Sequence, residues 1–240
     1  MNLGTKLMKA YFDFIYNPVY DFTTGRLISY RQLQEKCVDK LDLKDKDRVL
    51  CVGLGTGNEV IRILEMNRNV DIVGIDYSHT ALQKAYRKAL ALGKEIVVFT
   101  MDAQCLKFTT GSFDEVLCIH VMDFVAENEK VTSEILRVLK DRGQFVITYP
   151  SQKEGMSLGL NLWRDSIRNN PDAGRHRAIA FLKSIVQMLA GIIYLPLFLR
   201  PRKRSYSYNE LQMMITRLTV GDLQIEEDPV YQDYIVYGRK

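Results

Sequence analysis

A chain of 240 residues with 47% hydrophobic and 26% charged residues has the make-up of a folded globular protein, which excludes a disordered polymer, a collagen-like repeat and a polytopic membrane protein. A net charge of +4 is too small a bias to make nucleic acid an expected partner. The positive charge is local: Arg175, Arg177, Lys183, Arg200, Arg202, Lys203 and Arg204 share residues 175–204 with no acid, and the rest of the chain is acidic on balance.

Apolar positions at helical spacing predict two opening helices, at residues 5–16 and 23–41, broken by Asn17-Pro18. After a polar connector at 42–47, strand-like and helix-like runs alternate. Strands are predicted at 48–52, 71–75, 95–99, 113–119 and 144–148, and helices at 58–65, 78–92 and 128–140. That rhythm requires a parallel sheet with crossover helices. Ser78 is placed as a helix N-cap, and Asp141-Arg142-Gly143 as a helix-to-strand turn.

Residues 151–204 break the rhythm with a polar stretch containing Trp163 and then a nearly unbroken apolar run, 178–199. A helix at 209–218 and a hairpin of 222–227 and 231–238, joined through Pro229, end the chain. The expected organisation is one domain: a helical cap at 1–47, a core at 48–150, a helical lid at 151–204, and a terminal helix and hairpin at 205–240. Cys37, Cys51, Cys105 and Cys118 show neither a CxxC pair nor metal-ligand spacing, and no charged-then-apolar leader precedes Tyr11. Free thiols, no metal and a cytoplasmic location are expected.

The most informative stretch is Val49-Leu50-Cys51-Val52-Gly53-Leu54-Gly55-Thr56-Gly57-Asn58, an apolar strand running into a glycine-rich turn that opens a helix. Glycines there let a ligand approach the backbone, and the helix start offers free N–H groups to a carboxylate or phosphate. The spacing is GxGxG, with Asn58 where a dinucleotide fingerprint needs glycine, so a nicotinamide cofactor is disfavoured. Asp76 ends the next strand, where a carboxylate can accept from two ribose hydroxyls. Met101-Asp102-Ala103 closes the third strand and offers a carboxylate to an exocyclic amine and an amide to a ring nitrogen. Three strand ends in this order describe an adenosine site.

With these motifs in order, the sequence resembles the class I S-adenosylmethionine-dependent methyltransferases from about residue 48 to 148 and again over 205–240. The resemblance implies an α/β, Rossmann-like, doubly wound fold: a seven-stranded, mostly parallel sheet with an antiparallel last strand, here with a helical lid. It implies S-adenosylmethionine as cofactor, with Gly53, Gly55 and Gly57 at its methionine end, Asp76 on ribose, and Asp102 and Ala103 at adenine. Cys51, Thr56, Tyr77 and Ile119 complete the implied cofactor set. Phe113-Asp114, the run from Glu134 to Lys140, and Tyr231-Gln232-Asp233-Tyr234 look like further family landmarks. Two departures stand out. Cys51 occupies the place where the family usually begins the glycine turn with an acid, so the grip on the cofactor's amino group falls to another residue. Asp141-Arg142-Gly143 replaces the usual Pro-Gly-Gly.

On the acceptor side, His120 follows the fourth strand and reads either as a general base or as a pocket wall, with Asp123 a weaker candidate for the base. Tyr16 and Tyr20 are similar to the aromatic entry helix that covers the cofactor in quinone-type and phospholipid-type methyltransferases, although core packing accounts for them nearly as well. Trp163 is a candidate for the substrate lid or a packing anchor. Residues 178–199 are interrupted by Lys183, Gln187, Gly191 and Pro196, which argues against a membrane span. Bracketed by cations over 178–204, they suit peripheral contact with the inner face of a membrane, or equally a lid packed on the sheet or on a second copy of the chain in a homodimer. The expected acceptor is small and apolar or lipid-like, of quinone, isoprenoid or phospholipid type. A nucleic-acid methyltransferase is disfavoured because His120-Val121-Met122-Asp123 stands where a proline-proline-aromatic motif belongs. A catalytically silent cofactor-binding or membrane-scaffold protein stays open on account of Cys51.

Overall fold

The computed structural model describes residues 10–16, 21, 28–66, 69–125, 127–152, 205–218 and 221–240. A π-helical turn, Phe12–Tyr16, precedes α1 (Ile28–Asp39). There follow β1 (Arg48–Val52), α2 (Asn58–Glu65), β2 (Asp71–Asp76), α3 (His79–Ala91), β3 (Val97–Thr100), β4 (Phe113–Cys118), α4 (Asn128–Val138) and β5 (Leu139–Tyr149). The chain ends with α5 (Tyr208–Leu218), β6 (Leu223–Glu227) and β7 (Tyr234–Arg239). Tyr20, Trp163 and the run 178–199 lie outside the described residues, as does nearly all of the expected lid.

The seven strands form one sheet in the order β3-β2-β1-β4-β5-β7-β6. Pairs from β3 to β5 are parallel, and β7 runs antiparallel to both β5 and β6. Alternation along each strand divides the core. Leu50 and Val52 of β1, Val116 and Cys118 of β4, and Phe145, Ile147 and Tyr149 of β5 face α4 and α5. Val49, Cys51, Leu117 and Val146 face the opposite layer, under α1, α2 and α3. Both faces of the central strands are buried, which is why those strands read as continuous apolar runs.

Several boundaries differ from the sequence expectation. β3 is displaced toward Thr100 because its partners are Val73 to Asp76 of β2. The helix expected to reach residue 140 stops at Val138, since Leu139 already pairs with Phe113 across a register irregularity in β4. The Asp141-Arg142-Gly143 turn therefore sits inside β5, with Arg142 in the left-handed region at φ 65°. Tyr231, Gln232 and Asp233 are in the loop before β7 rather than in the last strand. Ser78 does cap α3, its Oγ accepting from Ala81 N at 3.2 Å.

The run from Glu134 to Lys140 has a mechanical task. Arg137 donates to the carbonyls of Leu106 and Phe108, each at 2.8 Å, and Glu134 accepts from Leu106 N at 2.8 Å, so α4 holds the loop that follows β3. The β6–β7 loop is pinned in a comparable way. Asp228, 4% exposed, accepts from Val230 N at 3.0 Å and Tyr231 N at 2.7 Å and pairs with Lys36 of α1. Asp228→Ala leaves those two amides without their acceptor and should cost about 1–3 kcal/mol of stability. Urea unfolding of the variant beside the wild type measures it, and an unchanged midpoint at an unchanged slope would show that the loop is held by other contacts.

Candidate functional site

The site forms where β1, β2, β3 and β4 end side by side. β1 runs buried into a turn whose three glycines lie in the left-handed region, Gly53 at φ 70°, Gly55 at 54° and Gly57 at 78°. A Cβ at Gly53 would meet Val121 Cγ2 at 2.1 Å, and one at Gly57 would meet Ala85 Cβ at 2.7 Å, so these two permit close packing of the turn. At Gly55 the nearest atom to such a Cβ is Gly53 O at 3.9 Å. That position leaves open space directly over the backbone, which is the cradle a ligand needs.

Asp76 holds the turn. Its Oδ2 accepts from Gly55 N at 2.8 Å and its Oδ1 from Ser78 N at 2.7 Å, while Leu54 N donates to Ile75 O at 2.8 Å. Burial raises the Asp76 carboxyl above its usual range, and the amides of Ser78 and Gly55 oppose that rise. The Tyr77 amide also bonds this carboxylate, and with three amides on about four lone-pair sites it keeps capacity for a hydroxyl donor. Half-buried Tyr77 follows Asp76. Met101 N donates to Asp76 O at 3.0 Å, which sets the end of β3 beside the end of β2. Asp102 next to it is exposed, with Oδ1 accepting from Gln104 N at 2.9 Å, and Ala103 is half-buried. Ile119 is buried at the end of β4.

These positions fit S-adenosylmethionine: an open glycine turn for its amino-acid end, and Asp76 and Asp102-Ala103 for its nucleoside. Cys51 behaves differently from the rest of the expected set. It is 1% exposed within the apolar layer beneath α2, and burial pushes its thiol well above the usual range, so it stays neutral and offers nothing to a cation. Thr56 is also buried, and its Oγ1 donates to Asp21 Oδ1 at 2.6 Å. Lys88 of α3 reaches Asp21 Oδ1 at 2.9 Å and Asn58 Oδ1 at 2.7 Å. The N-terminal segment makes a second contact on this rim, where Asp13 accepts from the hydroxyls of Ser78 and Thr80. Half-buried Tyr16 lies in the same turn as Asp13 and packs against Tyr11, their ring centroids 6.1 Å apart.

His120 follows β4 in the left-handed region, φ 56°, and its N–H donates to Thr148 Oγ1 at 2.8 Å. The imidazole stacks on Tyr30 of α1, centroids 4.8 Å apart and planes within 13°, and Tyr231 approaches it at 4.8 Å. Nδ1 lies 3.1 Å from Asp233 Oδ2 and 3.8 Å from Asp123 Oδ2. Burial alone would lower the pKa of this ring, but the two carboxylates win and push it up to about 10. The two carboxylates favour the protonated ring, which supports the pocket-wall reading of His120 over the general base. One atom from each of His120, Asp123 and Asp233 lies within 4.8 Å of the others, close enough for a metal ion; the imidazolium, at ion-pair distance, already supplies the cation there. Nε2 is buried and makes no hydrogen bond among the described residues. In the sequence Asp233 is marked only as part of a landmark, and Tyr30 and Glu59 are not marked as site residues. An acid at position 59 on the apolar face formed by Val60, Ile63 and Leu64 was a legible signal, whereas nothing local marks Tyr30.

A methyltransferase-domain family model matches residues 43–197. Among curated proteins, the demethylmenaquinone methyltransferase of Thermus thermophilus is 32% identical over 60% of this chain and 66% of its own length. The phosphatidylethanolamine N-methyltransferase of Cereibacter sphaeroides is 38% identical over 54% of this chain and 62% of its own length. The chain thus spans a little under two thirds of each of these relatives. A solved SAM dependent methyltransferase from Aquifex aeolicus shares the fold, with a TM-score of 0.57 at 17% identity over 86% of this chain and 88% of that one.

Two outcomes follow from this geometry. Asp76→Ala should weaken S-adenosylhomocysteine binding by about 1–3 kcal/mol, roughly 5- to 150-fold in Kd by calorimetry; unaltered affinity would place ribose elsewhere. The folded-state pKa of His120 lies above that of an unfolded-chain histidine, so its pairing stabilises the fold fully below about pH 6.5, and that contribution fades as pH rises through about 10. Compared with His120→Gln, the wild type should accordingly hold its largest stability advantage in mild acid and lose it in alkali. A gap in unfolding free energy that ignores pH would show that the ion pair adds nothing.

Proposed function

This chain belongs to the methyltransferase-domain family, and we propose that it transfers the methyl group of S-adenosylmethionine to a small apolar or membrane-associated acceptor of quinone, isoprenoid or phospholipid type. S-adenosylmethionine is the cofactor that family membership implies. Bound, it supplies a methyl group already activated on sulfur, so the tasks left to the protein are to align the nucleophile and to exclude water. The glycine turn, Asp76 and Asp102-Ala103 hold the donor. The acceptor enters at the end of β4, beside His120.

The observation that carries the acceptor class is the shared core with relatives named for demethylmenaquinone and for phosphatidylethanolamine. The site's chemistry supports it. An imidazolium fixed at Nδ1 by Asp233 keeps Nε2–H for an oxygen of the acceptor, a phenolic oxygen in a quinol or a phosphate oxygen in a phospholipid. His120 then acts as a positioning group rather than a proton acceptor. No described helix is long and apolar enough to cross a membrane. The pattern of an apolar run at 178–199 followed by Arg200, Arg202, Lys203 and Arg204 supports peripheral docking on anionic lipid, each cation contributing about 1 kcal/mol at low salt.

Labelled S-adenosylmethionine offered with anionic vesicles that contain phosphatidylethanolamine or a reduced quinone should leave label in the lipid phase. Replacing Arg202, Lys203 and Arg204 with glutamine should slow that transfer at low salt and much less at high salt, where the attraction is already screened. Label that stays in the aqueous phase with every lipid would retire the acceptor class and leave family membership intact.

A further inference from the structure

Glu59 is the second residue of α2, immediately after the glycine turn, and is 8% exposed. Its side chain points into the layer that holds Cys51, whose thiol feels the Glu59 charge. Gln34 Nε2 of α1 donates to Glu59 Oε2 at 3.4 Å, a long contact for a buried carboxylate. No Lys or Arg among the described residues forms an ion pair with it. The charged groups facing it are His120 after β4, Lys88 on α3 and Asp76 at the end of β2. Burial outweighs the two cations and pushes its pKa up to about 7. A carboxylate kept dry without a paired cation is costly unless something cationic arrives.

The cofactor's amino-acid end carries a carboxylate and an ammonium on one carbon atom. If the carboxylate takes the free amides at the start of α2, the ammonium falls within the shell of that turn and needs an acid. Cys51 is a neutral thiol, and Asp76, tied to Gly55 N and Ser78 N, spends its remaining acceptor capacity on ribose. Asp21 is taken by Thr56 and Lys88 and Asp13 by Ser78 and Thr80, which leaves Glu59 among the described acids near the turn. We infer that Glu59 accepts the cofactor's ammonium, directly or through one water, and so supplies from α2 the negative charge missing at position 51. This rests on the reading of the site as one for S-adenosylmethionine.

Calorimetry with two ligands separates the claims. S-adenosylhomocysteine has the amino-acid end, while 5′-methylthioadenosine keeps the nucleoside and thioether without it. At about pH 8, where the carboxylate is ionised, Glu59→Gln should weaken S-adenosylhomocysteine about tenfold or more and leave 5′-methylthioadenosine unchanged. The retained nucleoside binding also shows that the variant is folded. The preference for the longer ligand should grow between about pH 6 and about pH 8 in the wild type and stay flat in the variant. Equal loss of both ligands, or loss of neither, overturns the assignment of Glu59. A wild type that binds neither ligand instead overturns the cofactor reading itself.

Discussion

One carboxylate fixes the geometry on which the site depends. Asp76 accepts from Gly55 N and Ser78 N, so it ties the glycine turn after β1 to the first residue before α3. Without that tie, a turn containing three left-handed glycines has little to define it, since glycine loses more conformational freedom on folding than any other residue. With it, the starts of α2 and α3 are held on one rim. The adjacent contact from Met101 N to Asp76 O brings the third strand end into line. The open rim of the candidate site is thus a consequence of how the parallel strands end.

Charge around this rim is arranged in pairs that differ in completeness. His120 is held by Asp123 and Asp233, stacked on Tyr30 with Tyr231 tilted against both rings, and left with Nε2 unpaired among the described residues. Glu59 is an acid held by the Gln34 amide and by its own backbone N–H, with no ion-paired Lys or Arg among the described residues. The first has its counter-ions within the protein and the second does not, so it is the second that needs a cation from outside. Both groups are buried, where leaving a charge unmatched is expensive.

Among the described residues, the N-terminal segment joins the site through the side chains of Asp13 and Asp21. Asp13 sits on the hydroxyls of Ser78 and Thr80 at the start of α3, and Asp21 on Thr56 and Lys88 beside the glycine turn. An acid at a helix start is favoured by the helix dipole. Two such contacts bring residues far from the sheet in sequence onto the cofactor rim, and they make this segment part of the site's wall.

The sheet and the cofactor rim were legible in the sequence because their signals are local. Continuous apolar runs mark strands buried on both faces, the GxGxG spacing marks a turn that only glycine can make, and Asp76 and Asp102 follow at the strand ends. Boundaries were less legible where pairing decides them: β5 begins at Leu139 because Phe113 is waiting across the sheet. The charge state of His120 was not legible at all. Its ring meets Tyr30 from α1 and Asp233 from the loop before β7, residues distant in the chain that only the folded sheet brings together. Glu59 lies between these cases. Its acid on an apolar helix face could be read, but that it lies beside Cys51 without a paired cation follows only from how α2 packs on β1. Local pattern determined the fold and the place of the site, and tertiary packing decided which of its groups are charged, because pKa depends on burial and on neighbours that sequence order does not set.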